Sequence, residues 1–540
     1  MVEANERLMY EHLGEYALAY LLASDVETLH KRFGDTESIS LSAEREEVLA
    51  QLIVIDEQMV NLPDESLRAH EWVCQLAHPI TLTPLSNGNL FRQISGGEIS
   101  QVPMDLGPLE TILARLTINV YPGLLVRESD ISFHNTGLSK ALFRHPPSET
   151  FQALILEDSE LAELFADESE HIGRYGSTRR STGQGGTHQL STFANNLIAA
   201  GWSAALLDHI QPSADDVVQT VLKALHTIRA AIKGEEAFVS ARVGLAGVLF
   251  PEGRNELDLG WAKVRRADER DSCYAKFVSS KGQLQTTSSD GNTITINYSG
   301  DLVVEFKVPY KIKMEMFDSR TEWPEELTLG NQLFGNFTQN IRLGLILACP
   351  KLRPILVTTW QVIVDPFSPG NGIGWSDASR TSGLVPTQLT EEQTDEWGDW
   401  AKKVEENRMP SIGVAIRRML MAIAERRTPE DVLVDAVIVW ENLFGAKSET
   451  TFRISSSLAW LLGDSKEDRL TRQAHYKKIY KLRSDIVHGA ATINLGQLQE
   501  VSSQAVQISI DALRAMFGEH SELLIHKKSE DRSNHILHAG

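Results

Sequence analysis

The sequence predicts a multidomain α+β protein with a mixed, mainly helical N-terminal region, a β-rich middle domain and a C-terminal all-α helical bundle. With 540 residues, the chain is longer than one hydrophobic core usually organises. Its apolar residues recur with a helical period in the N-terminal part, with a period of two from residue 238 to 366, and with a helical period again after residue 412.

These changes of pattern divide the chain into five segments. They are residues 1–235, the N-terminal region, in which we find no chemistry; residues 236–366, the β-rich domain; residues 367–411, a linker and a short amphipathic helix; residues 412–520, the helical bundle; and residues 521–540, a polar tail. We expect the tail to be frayed, because polar chain ends rarely pack.

The composition indicates a reducing compartment and no membrane. Cys74, Cys273 and Cys349 are scattered, so they offer neither a disulfide framework nor the spacing of metal ligands. The acidic start of the chain lacks the apolar core of a signal peptide, and no apolar run approaches the length of a membrane span. We therefore expect a cytoplasmic protein that needs no metal and no cofactor.

Residues 171–191, HIGRYGSTRRSTGQGGTHQLS, are the most loop-like segment of the N-terminal region. Five glycines with Arg174, Arg179, Arg180 and His188 are compatible with a nest that cradles a phosphate. The segment lacks the Gly-Lys-Ser/Thr of a P-loop and the Gly-x-Gly-x-x-Gly of a dinucleotide fold. The sequence therefore predicts a surface loop, with phosphate binding as the alternative.

The middle domain shows strand periodicity. Apolar and charged residues alternate over residues 304–316, which predicts one long half-buried strand with Pro309 at an edge or a bulge. Residues 293–298 precede this strand across Ser299-Gly300-Asp301, which is typical of a hairpin turn. A helix is expected at residues 326–347. The domain is either purely structural or a surface that senses a ligand or partner, and the sequence leaves both open.

Five amphipathic helices with short polar connections predict an antiparallel bundle after residue 412. We expect them at residues 412–427, 432–445 after a Thr428-Pro429 start, 448–462, 464–489 and 495–517. The second is apolar almost all round, which places it at the centre, with Asp435 and Glu441 as its interruptions. The fourth has Ser465 as its N-cap and Gly489 as its stop signal.

The fourth helix carries a candidate catalytic pair, Arg483 and His488, with four residues between them. An arginine followed by a histidine at similar spacing occurs at several other places, so the spacing alone is uninformative. The surroundings distinguish this pair, because residues 466–483 contain seven basic and two acidic residues on a chain of net charge −21. Such a patch can engage phosphates, although an ordinary solvated helix face is the alternative.

At these residues the chain resembles the HEPN family, and its Apea-like branch most closely. The resemblance covers residues 412–517 and rests on the segments AIRRMLMAIAERR, LVDAVIVWENLFG, FRISSSLAWLLG and above all YKLRSDIVHG. Many members carry Asn, Asp or His directly after the arginine, whereas this chain has Ser484 there and Asp485 next. The resemblance implies a metal-independent endoribonuclease in which two protomers pair and their Arg/His motifs line one cleft.

The chemistry of RNA cleavage suits these residue types. RNA carries its own nucleophile, the 2′-hydroxyl, so a catalyst needs a proton carrier and a cation for the charge that develops on phosphorus. His488 suits the first role and Arg483 the second. Five positions along a helix rotate a side chain by about 140°. The two side chains therefore do not simply share a helix face, and a frayed helix end beside Gly489 would allow His488 to turn back toward Arg483.

Further residues are assigned supporting roles. The supporting candidates are Glu441, which would orient Arg483, and Tyr480, Ser484 and Asp485; the candidate RNA-binding residues are Lys477, Lys478 and Lys481. Tyr480 and Asp485 are equally compatible with packing and with a surface charge.

The sequence thus predicts a HEPN endoribonuclease that acts on RNA and forms a homodimer through its bundle. Outside residues 412–517 the chain has a net charge of −23, and we expect this N-terminal and β-rich part to restrain the bundle until an unknown trigger or partner binds. Apea-like relatives suggest abortive, anti-phage defence. A competing hypothesis is a catalytically silent HEPN protein that acts as a binding or dimerisation module. A third places the chemistry in the N-terminal part.

Overall fold

The computed structural model describes residues 2–33, 40–80, 84–127, 131–165, 174–183, 185–271, 274, 282–287, 293–298, 302–315, 325–367, 373–376, 384–489 and 494–538. These residues form an α+β structure with antiparallel sheets and a helical C-terminal region. None of the helices within these ranges has the length and apolar character that a membrane crossing requires.

The chain divides into two compact units. The first comprises residues 1–240, 308–331 and 363–373, and the second comprises residues 241–307, 332–362 and 374–540. The segment 236–366, predicted as one β-rich domain, is therefore shared between both units. Strand periodicity reports that a face is buried, but it does not report which neighbours bury it. Of the predicted linker, residues 368–372 and 377–383 lie outside the described residues.

The first unit is mainly helical. Its helices are α1 (Val2–Leu13), α2 (Glu15–Leu21), α3 (Val26–Phe33), α4 (Ala43–Gln58), α5 (Glu65–Leu76), α6 (Asn87–Ile94), α7 (Pro108–Leu124), α8 (Ile131–Leu142), α9 (Pro146–Glu157), α10 (Leu190–Asp208) and α11 (Ala214–Ile232). Local signals explain several helix starts. The side chains of Ser42, Asp64 and Ser86 each accept a hydrogen bond from the backbone N–H three residues on. Ser213 and Asp216 form a reciprocal capping box before α11.

The segment expected as a surface loop forms a β-hairpin. β1 (Tyr175–Arg180) pairs antiparallel with β2 (Gly185–Gln189) on one side and with β10 (Ile312–Glu315) on the other. A Cβ atom at position 176 would lie 1.3 Å from the carbonyl oxygen of Leu164 in the 3₁₀ helix Ala162–Phe165, so Gly176 is required where β1 passes this helix. At least one of the glycines that make this segment loop-like in sequence thus permits a close approach of the backbone to a β-strand.

Arg180 lies at the centre of a buried polar cluster in the first unit. Its side chain is fully buried, and its Nε donates a hydrogen bond to Asp365 Oδ2 at 2.9 Å. The Asp365 carboxylate also accepts hydrogen bonds from Thr182 Oγ1 at 2.9 Å and from the Tyr310 hydroxyl at 3.0 Å. His188 Nε2 lies 2.7 Å from Arg180 Nη1. Arg180 and His188 are therefore committed to the interior, and the alternative of a phosphate nest is wrong for both.

Acidification should weaken the first unit through His188. Burial and the neighbouring Arg180 cation lower the pKa of His188 to about 4. Because the folded protein holds this imidazole neutral, its contribution is complete above pH 6.5 and is lost as the pH falls toward 4. We expect the free energy of unfolding to fall by about 3 kcal/mol from this residue alone.

Urea unfolding at pH 7 and at pH 4.5 measures this contribution. His188→Gln, which cannot titrate, should show a smaller loss of unfolding free energy between the two pH values than the wild type. His209→Gln is the control, because the His209 side chain is 50% exposed. An equal loss in the wild type and in His188→Gln would show that His188 does not sense pH.

Strands of the middle segment form several sheets. The strands are β3 (Phe238–Ala246), β4 (Val248–Leu249), β5 (Glu256–Asp258), β6 (Ala262–Arg266), β7 (Gly282–Thr287), β8 (Thr293–Tyr298), β9 (Leu302–Pro309), β11 (Val357–Ile363), β12 (Ile373–Trp375) and β13 (Thr387–Gln388). A six-stranded sheet has the order β12-β11-β3-β9-β6-β5, and a three-stranded sheet has the order β10-β1-β2. The shortest strands, β4 and β13, pair parallel to each other.

Two expectations for these strands are wrong. The long strand predicted over residues 304–316 is two strands, because β9 ends at Pro309 and β10 begins at Ile312 in a different sheet. The predicted hairpin between residues 293–298 and β9 is also absent, since β8 pairs with β7 in a two-stranded sheet. The turn expected at residues 299–301 lies outside the described residues. Alternation of side chains identifies a strand but not its partner.

The helices predicted with stated bounds, at residues 326–347 and in the bundle, match the structure within three residues at each end, whereas the helix at residues 529–538 was not predicted. The described residues of the second unit contain eight α-helices. They are α12 (Glu325–Ala348), which begins in the first unit, α13 (Glu391–Asn407), α14 (Gly413–Ala424), α15 (Pro429–Phe444), α16 (Thr450–Leu462), α17 (Lys466–Val487), α18 (Leu495–Phe517) and α19 (Ser529–His538). The predicted central helix is confirmed: Trp440 of α15 is fully buried, and its Nε1 donates a hydrogen bond to Ser509 Oγ at 2.8 Å.

The C-terminal segment is not the frayed tail that its polarity suggests. Residues Ser521–Ile525 form a turn of 3₁₀ helix, and α19 packs against α15 and α16. Arg532 of α19 is 1% exposed. It donates hydrogen bonds to the carbonyl oxygens of Leu443 at 2.9 Å and Asn442 at 2.6 Å. These carbonyls belong to the last turn of α15, where the carbonyl groups have no hydrogen-bond donors within their own helix. A buried arginine therefore attaches the polar C-terminal helix to the bundle.

Candidate functional site

Helix α17 places the candidate catalytic residues, and local signals define both of its ends. Ser465 Oγ accepts a hydrogen bond from the Asp468 backbone N–H at 3.2 Å, as an N-cap does. Tyr476 and Ile479 are each 2% exposed and attach the helix to the core of the bundle. At the C-terminal end, Gly489 adopts a positive φ of 67°, a conformation that glycine accepts without strain.

Arg483 is held on the inner side of α17 by an acid of the central helix. Its Nη2 donates a hydrogen bond to Glu441 Oε2 at 3.3 Å. The Tyr480 hydroxyl donates to the other carboxylate oxygen, Oε1, at 2.8 Å. The side chains of Arg483 and Glu441 are 20% and 28% exposed, so this group reaches the surface without being fully solvated. The predicted contact between Glu441 and Arg483 is therefore present, and Tyr480 is part of it.

Tyr480 acts in this group as a hydrogen-bond donor. Burial and the neighbouring Glu441 carboxylate raise the pKa of its hydroxyl to about 12. The hydroxyl therefore keeps its proton at neutral pH. It donates this proton in a hydrogen bond to Glu441 Oε1, the carboxylate oxygen that Arg483 does not contact. Meanwhile Arg483 Nε is buried without a hydrogen-bond partner in the described part of the chain. One donor of the guanidinium is thus left unsatisfied.

His488 lies at the exposed C-cap of α17. Its backbone N–H donates to the carbonyl oxygen of Ser484 at 3.1 Å. Its imidazole has no hydrogen bond or ion pair to any described residue. The helix remains regular through Val487, and His488 is its C-cap residue. At 100° per residue, positions 483 and 488 lie about 140° apart around the helix axis.

Ser484 and Asp485 make no contact that would assist this pair. Both are partly exposed, and neither side chain has a hydrogen bond or ion pair within the ranges that the structure describes. Of the four supporting candidates, Glu441 and Tyr480 are therefore the two that hydrogen bonds link to Arg483, Tyr480 through the Glu441 carboxylate.

The candidate RNA-binding lysines lie on the outer surface of α17. Lys477, Lys478 and Lys481 are exposed, and none of them forms an ion pair with a described residue. At 100° per residue, Lys477 and Lys481 lie within about 40° of each other and of His488, whereas Lys478 lies further round the helix. Two of the three lysines thus share a face with the histidine.

One group of side chains among the described residues has donor atoms close enough to hold a metal ion. His70, Glu71 and Cys74 of α5 place these atoms within 4.8 Å of one another. However, the Cys74 thiol donates to the carbonyl oxygen of Gly137 at 3.5 Å, and burial raises its pKa to about 11. A cysteine binds a metal ion as its thiolate, and the environment of Cys74 favours the protonated thiol. We therefore assign no metal to this group.

A cavity beside the first two turns of α17 is the feature that sequence reasoning missed. It lies between α16, α17 and α19, and two of its wall residues, Phe452 and Leu470, are 57% and 59% exposed. An exposed leucine on an otherwise charged helix face is the one signal in the sequence that points to it. Comparisons of the chain with family models, with curated proteins and with solved structures find no match.

Proposed function

We propose that the C-terminal bundle is a metal-independent endoribonuclease of HEPN type. The observation that supports this proposal best is the arrangement on α17. One cation, Arg483, is partly exposed and bonded to Glu441, whose carboxylate also accepts from Tyr480. The same helix ends in His488, whose imidazole has no partner among the described residues. An oriented cation and an unengaged imidazole are the two groups that cleavage by the 2′-hydroxyl requires.

Each residue has a defined part in the proposed reaction. His488 takes the proton of the 2′-hydroxyl, whose oxygen attacks the adjacent phosphorus. The bond from phosphorus to the 5′-oxygen then breaks, which leaves a 2′,3′-cyclic phosphate and a 5′-hydroxyl end. Arg483 stabilises the charge that develops on the phosphoryl oxygens, because its guanidinium is always protonated and matches phosphate geometry. Glu441 positions that guanidinium.

The site is completed in a homodimer. Arg483 and His488 point about 140° apart in one chain, so one chain does not present both to the same phosphate. In a two-fold dimer whose contact surface includes α17, the arginine of one protomer lies near the histidine of the other. It also supplies a second imidazole, so that one histidine acts as base and the other as acid for the leaving 5′-oxygen.

The remainder of the chain restrains this activity in the cytoplasm. Residues outside 412–517 carry a net charge of −23, whereas the bundle carries +2. An acidic remainder repels RNA until a trigger or partner binds it, and this restraint weakens with salt. A nuclease under such control fits abortive, anti-phage defence.

A catalytically silent HEPN module is the second candidate. The observation that favours it is the ion pair between Arg483 and Glu441, because a guanidinium that is committed to a carboxylate is less available to phosphate. In this case the bundle binds RNA or a second copy without cleaving RNA.

Incubation of the purified protein with labelled RNA in EDTA separates the two candidates. A ribonuclease that uses His488 and Arg483 cleaves in the presence of chelator and leaves cyclic phosphate ends. Because the site needs two chains, the rate per chain should rise with protein concentration until the dimer measured by light scattering saturates. Binding of RNA without cleavage at any concentration would favour the silent module. Cleavage that EDTA abolishes would place the chemistry elsewhere.

A further inference from the structure

The cavity beside the start of α17 has the size and composition of a binding site. Its volume is about 510 Å³, within the range of about 300–1,000 Å³ in which proteins bind small organic groups. Its lining residues are Phe452, Ser456, Ala459, Trp460, Lys466, Arg469, Leu470, Gln473 and Leu537. The wall is thus mostly apolar and contains two aromatic rings, with two cations at its edge.

The two cations of the cavity are available to an anion. The Arg469 guanidinium lies over the Trp460 ring, 3.9 Å from its centroid, and its Nε donates to the carbonyl oxygen of Gly463 at 3.0 Å. The terminal nitrogens of Arg469 have no further partner among the described residues, and Lys466 has none at all there. A base stacked on an aromatic wall next to unpaired cations is the usual arrangement for single-stranded nucleic acid.

The cavity lies on the same face of α17 as the candidate catalytic histidine. Taking 100° per residue from Lys466, the residues within an arc of about 80° are Lys466, Leu470, Gln473, Lys477, Lys481, Ser484 and His488. The buried Ile479 lies about 160° from the centre of this arc, and the buried Tyr476 lies about 100° from it. One continuous exposed surface therefore leads from the cavity, past two lysines without ion pairs, to the imidazole.

We propose that this cavity holds an unpaired base of the RNA strand, and that the strand follows the lysines of α17 from the cavity to His488. The proposal rests on the proposed function for the identity of its partner, RNA. The charge pattern favours a polyanion, since residues 466–483 carry seven basic and two acidic residues on an acidic chain. The exposed ring of Phe452 and the side chain of Leu470 supply the apolar contact that a base can use and a phosphate cannot.

The length of the helix sets the length of RNA that can reach both ends. Leu470 and His488 are 18 residues apart, which corresponds to about 27 Å along the helix axis. A stacked strand spans that distance with about eight nucleotides at about 3.4 Å each, and an extended strand needs fewer. The structure thus assigns the substrate class: single-stranded RNA with an unpaired base several nucleotides from the scissile phosphate.

Binding measured without cleavage tests this proposal. The full-length His488→Ala protein is titrated into a fluorescein-labelled twelve-nucleotide oligoadenylate, and anisotropy gives the Kd. A second probe, an abasic oligomer with the same number of phosphates, reports backbone contacts alone. We expect Phe452→Ala/Leu470→Ala to weaken binding of the oligoadenylate about tenfold and to leave the abasic oligomer unchanged. Lys477→Ala/Lys481→Ala should weaken binding of both probes.

Matched controls make the outcome decisive. Leu352→Ala removes a leucine that is 49% exposed in the same unit but outside the cavity wall, and it should change neither Kd. Each variant is compared with its parent by thermal unfolding, so that a misfolded protein is recognised. Unchanged oligoadenylate binding by a folded Phe452→Ala/Leu470→Ala protein overturns the proposal.

Two other results would also overturn it. One is a Phe452→Ala/Leu470→Ala protein that loses as much affinity for the abasic oligomer as for the oligoadenylate. The other is binding of AMP as tight as that of the oligoadenylate, which would indicate a nucleotide effector site instead. Because no cleavage is measured, base-dependent binding at the cavity stands even where the ribonuclease proposal fails.

Discussion

His488→Ala protein is expected to cleave RNA at least a hundredfold more slowly than the wild type and to unfold at the same temperature. Positioned proton transfer contributes about 10²–10⁴ to a rate, and the proposed reaction assigns that transfer to this imidazole. The fold does not depend on the side chain, because it is exposed at the helix end and contacts no described residue through a hydrogen bond or ion pair. Single-turnover cleavage of labelled RNA and thermal unfolding measure the two quantities.

Three variants accompany His488→Ala. His520→Ala removes another histidine that follows an arginine and whose side chain is 41% exposed, and it should leave the rate unchanged. Arg483→Lys keeps the charge but loses the planar fork, so we expect a large fall in rate. Glu441→Gln keeps an acceptor for Tyr480 while removing the charge that orients Arg483, so we expect a smaller loss. Wild-type cleavage by folded His488→Ala would remove this helix from the mechanism.

Arg180→Met is expected to lower the free energy of unfolding by about 3–5 kcal/mol, the usual cost of removing one partner from a buried ion pair. Arg180 and Asp365 are both fully buried. Without the guanidinium, the carboxylate keeps its hydrogen bonds from Thr182 and Tyr310 but loses its counter-charge. Urea unfolding at pH 7 measures this loss.

A second substitution and a neighbouring arginine serve as controls. Arg180→Met/Asp365→Asn has no buried charge, and its amide oxygen can accept from one of the two hydroxyls, Thr182 or Tyr310, so part of the lost stability should return. Arg179→Met alters the adjacent residue of β1, which pairs with Glu315 nearer the surface, and should cost about 1 kcal/mol or less. Equal stability of Arg180→Met and wild type would mean that the buried pair contributes nothing to the fold.

The sequence by itself determined the helices of the C-terminal bundle and the main contact of its candidate site. Caps such as Ser465 and Thr428 act within a single turn, so they are readable without knowledge of the fold. The contact between Glu441 and Arg483 was also predictable, because an acid on an otherwise apolar central helix needs a cation nearby. The rotation of about 140° between positions 483 and 488 also follows from helix geometry alone.

Only the tertiary structure decided which distant segments meet. β1 lies in a glycine-rich segment that reads as a loop, and it becomes a strand because β10, far along the chain, supplies hydrogen-bond partners. Asp365 turns Arg180 from a candidate phosphate ligand into a buried counter-ion. The polar C-terminal helix packs because Arg532 meets the free carbonyls of α15. The cavity exists only where α16, α17 and α19 converge. Caps and hydrophobic periods record local energies, whereas these partners are chosen by burial and hydrogen bonding between segments far apart in sequence.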